Sequence, residues 1–100
     1  MKLDRNGYRE SLFSTSEDEC YLCGRCVRVE RHEIFGGANR SNSKRYGLWI
    51  NVCPNCHRTD KDSIHLAPEK HTDLKIEAQQ LFEEAYIDKD FMSIFGRNYL

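Results

Sequence analysis

The chain is short of apolar sequence. Hydrophobic residues make up 39% of its 100 residues and charged residues 31%, against about 45–50% and about 25% in an ordinary globular domain. No apolar run approaches the roughly 20 residues of a membrane-spanning helix. The Met1-Lys2-Leu3-Asp4 start lacks the apolar stretch of a signal peptide. A soluble protein of the cytoplasm, without membrane contact, is therefore expected. There is no internal repeat and no linker between two candidate units, so the length allows one domain at most. A core this thin calls for a staple. In a reducing compartment the five cysteines suggest metal ligands before disulfides. Their odd number fits four ligands and a spare better than paired bridges.

Net charge is only −1, but it is unevenly spread. Eight Lys/Arg face three Asp/Glu between Arg25 and Lys61, while the segments on either side are acidic. A basic stretch on an otherwise acidic chain suggests a polyanionic partner at that face.

Two pairs of cysteines stand at the ends of this region: Cys20-x-x-Cys23 and Cys53-Pro54-Asn55-Cys56, the latter followed directly by His57. Each pair suits a tight knuckle presenting two sulfurs, and two knuckles about thirty residues apart can close one tetrahedral thiolate zinc site. Gly24 supplies the left-handed backbone that such a turn requires. Cys26 repeats the spacing and competes with its neighbours as a ligand, although the placement of Gly24 favours Cys20 and Cys23.

Residues 1–19 read as a polar N-terminal arm, loop-like or poorly ordered, with helical spacing only at Tyr8, Leu12 and Phe13. Imperfect alternation predicts a strand over Val27–Phe35, and Gly36–Ser43 is rich in turn formers. Tyr46–Val52 reads as a second strand, and a short helix is expected to start near His57. Leu74, Ala78, Leu81, Phe82 and Ala85 form one stripe, predicting a helix over Asp73–Ile87 capped by Thr72 or Asp73. Phe91, Ile94 and Phe95 share a further helical face that Gly96 would end, so the helical extension spans residues 73–95. The domain proper is expected at residues 20–100, of α+β class.

The order strand, loop, strand, turn puts His32 at the end of one element and His57 at the start of another. A divalent cation and a nearby base are what phosphodiester hydrolysis requires, and a neutral imidazole suits either ligand or base.

The motifs Cys20-x-x-Cys23, Glu30-x-His32-Glu33-Ile34 and Cys53-x-x-Cys56-His57 resemble the HNH endonuclease family. The run His32–Arg40, Gly47-Leu48-Trp49 and the ending Phe95–Leu100 are similar to small phage-encoded HNH proteins. The resemblance covers most of the chain from Cys20 onward. It implies a zinc-stapled ββα-metal (HNH, or His-Me finger) core with the C-terminal helix packed on it. It implies a structural Zn²⁺ on Cys20, Cys23, Cys53 and Cys56, and a catalytic Mg²⁺, Mn²⁺, Ni²⁺ or Zn²⁺ held by His32 and His57, with His65 a weaker third ligand because its spacing from His57 exceeds one helical turn. DNA is the implied partner, gripped by Arg31, Arg40, Lys44, Arg45 and Arg58, with phage packaging or recombination proteins as further partners and the host cytoplasm as the setting. Glu33 falls where the family places its general-base histidine, so either Glu33 or His32 is expected to activate water. Leu48 falls where the family has its middle asparagine, leaving Asn39 or Asn51 as substitutes. These two departures keep open an alternative: a catalytically weak or inactive zinc module that binds DNA or a phage assembly protein. A third possibility is a zinc redox or chaperone domain that uses Cys26.

Overall fold

The computed structural model describes residues 2–100. Its centre is a two-stranded antiparallel sheet, β1 (Glu30–Glu33) and β2 (Trp49–Val52), in the register Glu30↔Val52 to Glu33↔Trp49. The predicted first strand was longer: Val27 is exposed and takes no part, because nothing packs over it. All four residues of β2 are buried, as expected for a strand covered on both faces.

The covering on one side is the segment expected as a polar arm. It lies along the free edge of β2: Leu12 N–H bonds the Gly47 carbonyl, Ser11 Oγ the Trp49 carbonyl, and Asn51 N–H donates to Thr15 Oγ1. Trp49 Nε1 donates to the Arg9 carbonyl at 2.8 Å, and Phe13 is 5% exposed. A two-stranded sheet leaves an edge of unpaired peptide groups, and this segment satisfies it. Its polar side chains suit that task, so composition alone misread it.

The turn-rich stretch after β1 is also more ordered than its composition suggests. A 3-10 turn over Gly37–Asn39 leads into α1 (Arg40–Tyr46). Ser and Asn favour turns in isolation. Here Ser43 is fully buried, donating to the Phe35 carbonyl at 2.8 Å and accepting from Phe35 N–H at 3.0 Å. Tyr46 therefore closes a helix and does not open β2. Gly47 ends α1 in the left-handed region at φ 75°, and a Cβ there would overlap the Glu10 carbonyl oxygen. Gly24 has a similar φ of 76°, but a Cβ there would meet only Glu19 Oε1 at an ordinary 3.9 Å. Left-handed strain for a non-glycine residue is about 1–2 kcal/mol. Gly24→Ala is therefore expected to cost about 1 kcal/mol, and Gly47→Ala about 3 kcal/mol or more because backbone must also shift. Denaturant unfolding measures both; equal losses would contradict the packing at Gly47.

The main helix, α2 (Thr72–Ala85), follows the expected stripe through Leu74, Ala78 and Phe82, which are buried, with Leu81 half-buried; Ala85, expected to continue it, is exposed at the last turn. Neither Thr72 nor Asp73 caps it; the cap position falls on His71 without a side-chain bond. Gln79, also buried, donates to Asn98 Oδ1 and accepts from Tyr99 N–H, tying the C-terminal tail to α2. The last helix, α3 (Phe91–Phe95), ends at Gly96 in the left-handed region. Its Phe91 and Phe95 stack at 4.5 Å and pack on Phe35. The class is α+β. After β2 comes a single π-helical turn, Asn55–Thr59, where a helix was expected to begin. No helix of the described residues is long and apolar enough to cross a membrane.

Candidate metal centres

The two knuckles form as their sequences suggest. Cys23 N–H points at Cys20 Sγ and Cys56 N–H at Cys53 Sγ, each at 3.4 Å, while Gly24 and His57 N–H close the turns on the Cys20 and Cys53 carbonyls at 2.9 Å. β2 runs straight into Cys53, and Tyr21 N–H bonds the Asn51 carbonyl, so the sheet brings the knuckles together. The four sulfurs of Cys20, Cys23, Cys53 and Cys56 all lie within 4.8 Å of one another. Cys23 and Cys53 are 3.8 Å apart. A regular tetrahedron with Zn–S bonds of about 2.3 Å has edges of about 3.8 Å, so the set fits zinc.

The electrostatics agree. Burial pushes the Cys20 thiol up, but the N–H groups of Cys23, Cys53 and Leu22 outweigh it and draw the thiol down to about 6. Burial, then the neighbouring sulfurs, push Cys56 up. Four thiolates this close repel one another unless a dication sits among them. Cys26 is exposed and outside the cluster, which settles its competition with Cys20 and Cys23.

A second cluster lies on the other side of the knuckle. The ring nitrogens of His32, His57 and His65 fall within 4.8 Å of one another. His32 comes from β1 and His57 from the turn after Cys56. His65 was discounted for its spacing, but Ile64 N–H bonds the Cys56 carbonyl and His65 N–H bonds the His57 carbonyl, at 2.9 and 3.1 Å. These two bonds lay residues 64–65 beside 56–57, so helical spacing was the wrong criterion. The Nε2 atoms of His57 and His65 face each other at 3.0 Å. Two nitrogens sharing a cation at about 2.1 Å stand about 3.0–3.4 Å apart, so this donor set also fits a metal.

Sequence reasoning quoted Glu30 but gave it no role. Alternation along β1 puts Glu30 on the face of His32. Its Oε1 lies 2.7 Å from His57 Nδ1, and Arg58 grips both its oxygens at 3.0 and 2.8 Å. Arg58 first, then His57, hold this carboxyl down to about 2. With Nδ1–H donated to Glu30, His57 presents its Nε2 lone pair to the cluster. Burial, then the neighbouring His57 and His65, drive His32 down to about 3. Burial and His57 also lower His65. Both shifts favour the neutral ring, the form in which imidazole binds a metal.

No protein-family model, curated protein or solved structure matches the chain. What the site can do must come from its own geometry.

The histidines open into a basin of about 640 Å³, lined also by Arg31, Arg40, His71 and Lys75, with Glu33 the single acidic residue lining it among the described residues. Glu33 accepts from the Tyr8 hydroxyl and pairs with Arg40 Nε at 2.9 Å. Arg31 lies over the Tyr8 and Trp49 rings and pairs with Asp4. Arg58 is engaged by Glu30. Lys44 and Arg45 line a neighbouring cleft. Asn39 does not join the basin: its amide donates to the Phe95 carbonyl at 3.0 Å and docks α3. Asn51, the other substitute for the missing asparagine, is buried and donates to the Ser16 carbonyl. His71 and Lys75 were given no role; His71 ends the 3-10 turn Pro68–His71 and Lys75 lies in the first turn of α2, and both line the basin.

Proposed function

We propose that the chain is a metal-dependent endonuclease of the HNH type, hydrolysing phosphodiester bonds in DNA on a ββα-metal core made of β1, β2 and the Asn55–Thr59 turn. The observation that carries this reading is the convergence of His32, His57 and His65 at the floor of a basic basin. Structural zinc on the four cysteines keeps the turn bearing His57 against the strand bearing His32.

His32, His57 and His65 would hold a divalent cation, which would supply charge stabilisation at the phosphoryl and leaving oxygens. His57, braced by Glu30, and His65 are the outer ligands, and buried His32 is the third. A pKa of about 3 leaves His32 little affinity for a proton, so it suits a ligand better than a base. Glu33 then takes the proton of the attacking water as the new P–O bond forms and the bond to the leaving oxygen breaks. Arg31, Arg40 and Lys75 bind the non-bridging oxygens of the substrate.

Replacing Glu30 with Gln keeps the size of the brace and removes its charge. Cation affinity at the histidines is expected to fall about 10–100-fold, the usual effect of losing a carboxylate behind a ligating imidazole. Calorimetric titration with Mn²⁺ of protein already holding one zinc measures it, and an unchanged affinity would remove Glu30 from this role.

One observation favours a second reading. Both carboxylate oxygens of Glu33 already have partners in Tyr8 and Arg40, which suits a zinc module that binds DNA without cutting it. Nicking of supercoiled plasmid in Mg²⁺, Mn²⁺, Ni²⁺ or Zn²⁺ separates the two. Cation-dependent nicking by the native chain supports the endonuclease; DNA binding with no nicking in any of the four supports the module.

A further inference from the structure

Beside the basin lies a second cleft, of about 390 Å³, between α1 and the N-terminal turn, lined by Leu3, Asn6, Gly7, Ser41, Lys44 and Arg45 together with Asn42. Its chemistry is one-sided. From Ile34 to Thr59 the chain contains no Asp or Glu, and α1 carries three cations in seven residues. Lys2 and Arg5 are exposed and adjoin Leu3 and Asn6 in sequence, although Lys2 itself lines a separate cleft with Asp4 and Glu10. The acid nearest the cleft on that wall, Asp4, is engaged: Oδ1 accepts from Asn6 and Tyr8 N–H, and Oδ2 pairs with Arg31. Arg9 N–H bonds the Lys44 carbonyl at 2.9 Å, which fixes the N-terminal wall to α1.

The two hollows are joined by α1 itself. Arg40 stands on the rim of the basin and Lys44, one turn later, in the cleft. Four residues of helix advance about 6 Å, on the order of two nucleotide steps of about 3.4 Å along one strand. Ser41 and Arg45 repeat the same four-residue step on the adjoining stripe.

We propose that this cleft binds the sugar–phosphate backbone of the DNA strand one to two nucleotides from the phosphate in the basin, with Lys44 and Arg45 taking phosphates and Asn6 and Ser41 donating to them. The assignment rests on the endonuclease reading for what lies in the basin. It divides the cations of the chain: among the described residues neither Lys44, whose Nζ lies over the Tyr8 ring at 4.8 Å, nor Arg45 pairs with a carboxylate, whereas Arg58 is held by both oxygens of Glu30.

The test uses the zinc-loaded full chain and a fluorescein-labelled 20-base-pair duplex, titrated between 50 and 200 mM salt. The double variant Lys44→Gln/Arg45→Gln is expected to bind about tenfold more weakly. Its slope of log K against log salt should be shallower by about 1.8, two phosphate contacts at about 0.9 each. Lys89→Gln, an exposed lysine that lines neither hollow, should leave the slope unchanged. An unaltered slope in the double variant, with zinc content and circular dichroism intact, overturns the proposal. Binding of poly-glutamate as tightly as the duplex also overturns it, and assigns the cleft to an acidic polypeptide. Hydrolysis of bis(p-nitrophenyl) phosphate by the wild-type protein with Mn²⁺ is followed in parallel. If that is absent while the slope falls by 1.8, the endonuclease reading fails and the phosphate track stands.

Discussion

Chelation of zinc from the protein, or Cys53→Ser, is expected to unfold it at room temperature. Cys20 and Cys53 are 1% and 3% exposed and belong to the core. The sheet they brace has only four residues in each strand, too little to stand alone. Structural zinc sites contribute about 10–16 kcal/mol of apparent binding energy, as much as or more than the about 5–15 kcal/mol that stabilises a whole domain. Circular dichroism should show loss of α2 and α3 together with the sheet, because Tyr21 ties the first knuckle to Glu77 on α2. Thiol titration gives an independent count. The zinc-loaded protein should show one fast thiol, the exposed Cys26, and the chelated protein five. Cys26→Ser should be close to neutral. A chelated protein that keeps its spectrum and melting temperature would refute the stapling argument. Two or more fast thiols with zinc bound would instead support a redox role.

His57→Ala is expected to lower cation-dependent nicking by at least about 10³-fold. It removes the imidazole that both Glu30 and His65 meet, and on the endonuclease reading that would take with it several kcal/mol of charge stabilisation at the reacting phosphate. Because the ring is only 14% exposed, some stability will be lost too, so activity is to be compared at a temperature where the variant holds its zinc and its circular dichroism. His65→Ala is the cleaner companion, since that residue is exposed; its nicking should also collapse while its melting temperature barely moves. Wild type and both variants equally inert would end the endonuclease reading. Full activity in His65→Ala would reduce the cation site to two histidines.

Much of the architecture was legible because it is written in local patterns. The two knuckles, the apolar stripe of α2 and the glycine stop after α3 each depend on residues within one or two turns of one another. So does the proximity of His57 to the second knuckle. The errors share a different cause. α1 looked like a loop because Ser and Asn avoid helices on their own, and the hydroxyl of Ser43 bonding Phe35 is a contact between elements. The N-terminal stretch looked like an arm because its polarity conceals a row of backbone partners along β2. His65 was underrated because a periodicity rule for helices was applied to a segment folded back by two backbone bonds.

Sequence by itself determined which side chains could bind metal and which faces of α2 and α3 turn inward, since ligand type and short spacing are properties of the chain. Only the tertiary structure decided that Cys26 is left out, that Glu30 braces His57, that His65 joins His32, and that Asn39 holds α3 and leaves the basin. Those outcomes turn on closures between residues eight to more than fifty apart. Many pairings compete at such distances, and the packing of the whole core selects among them.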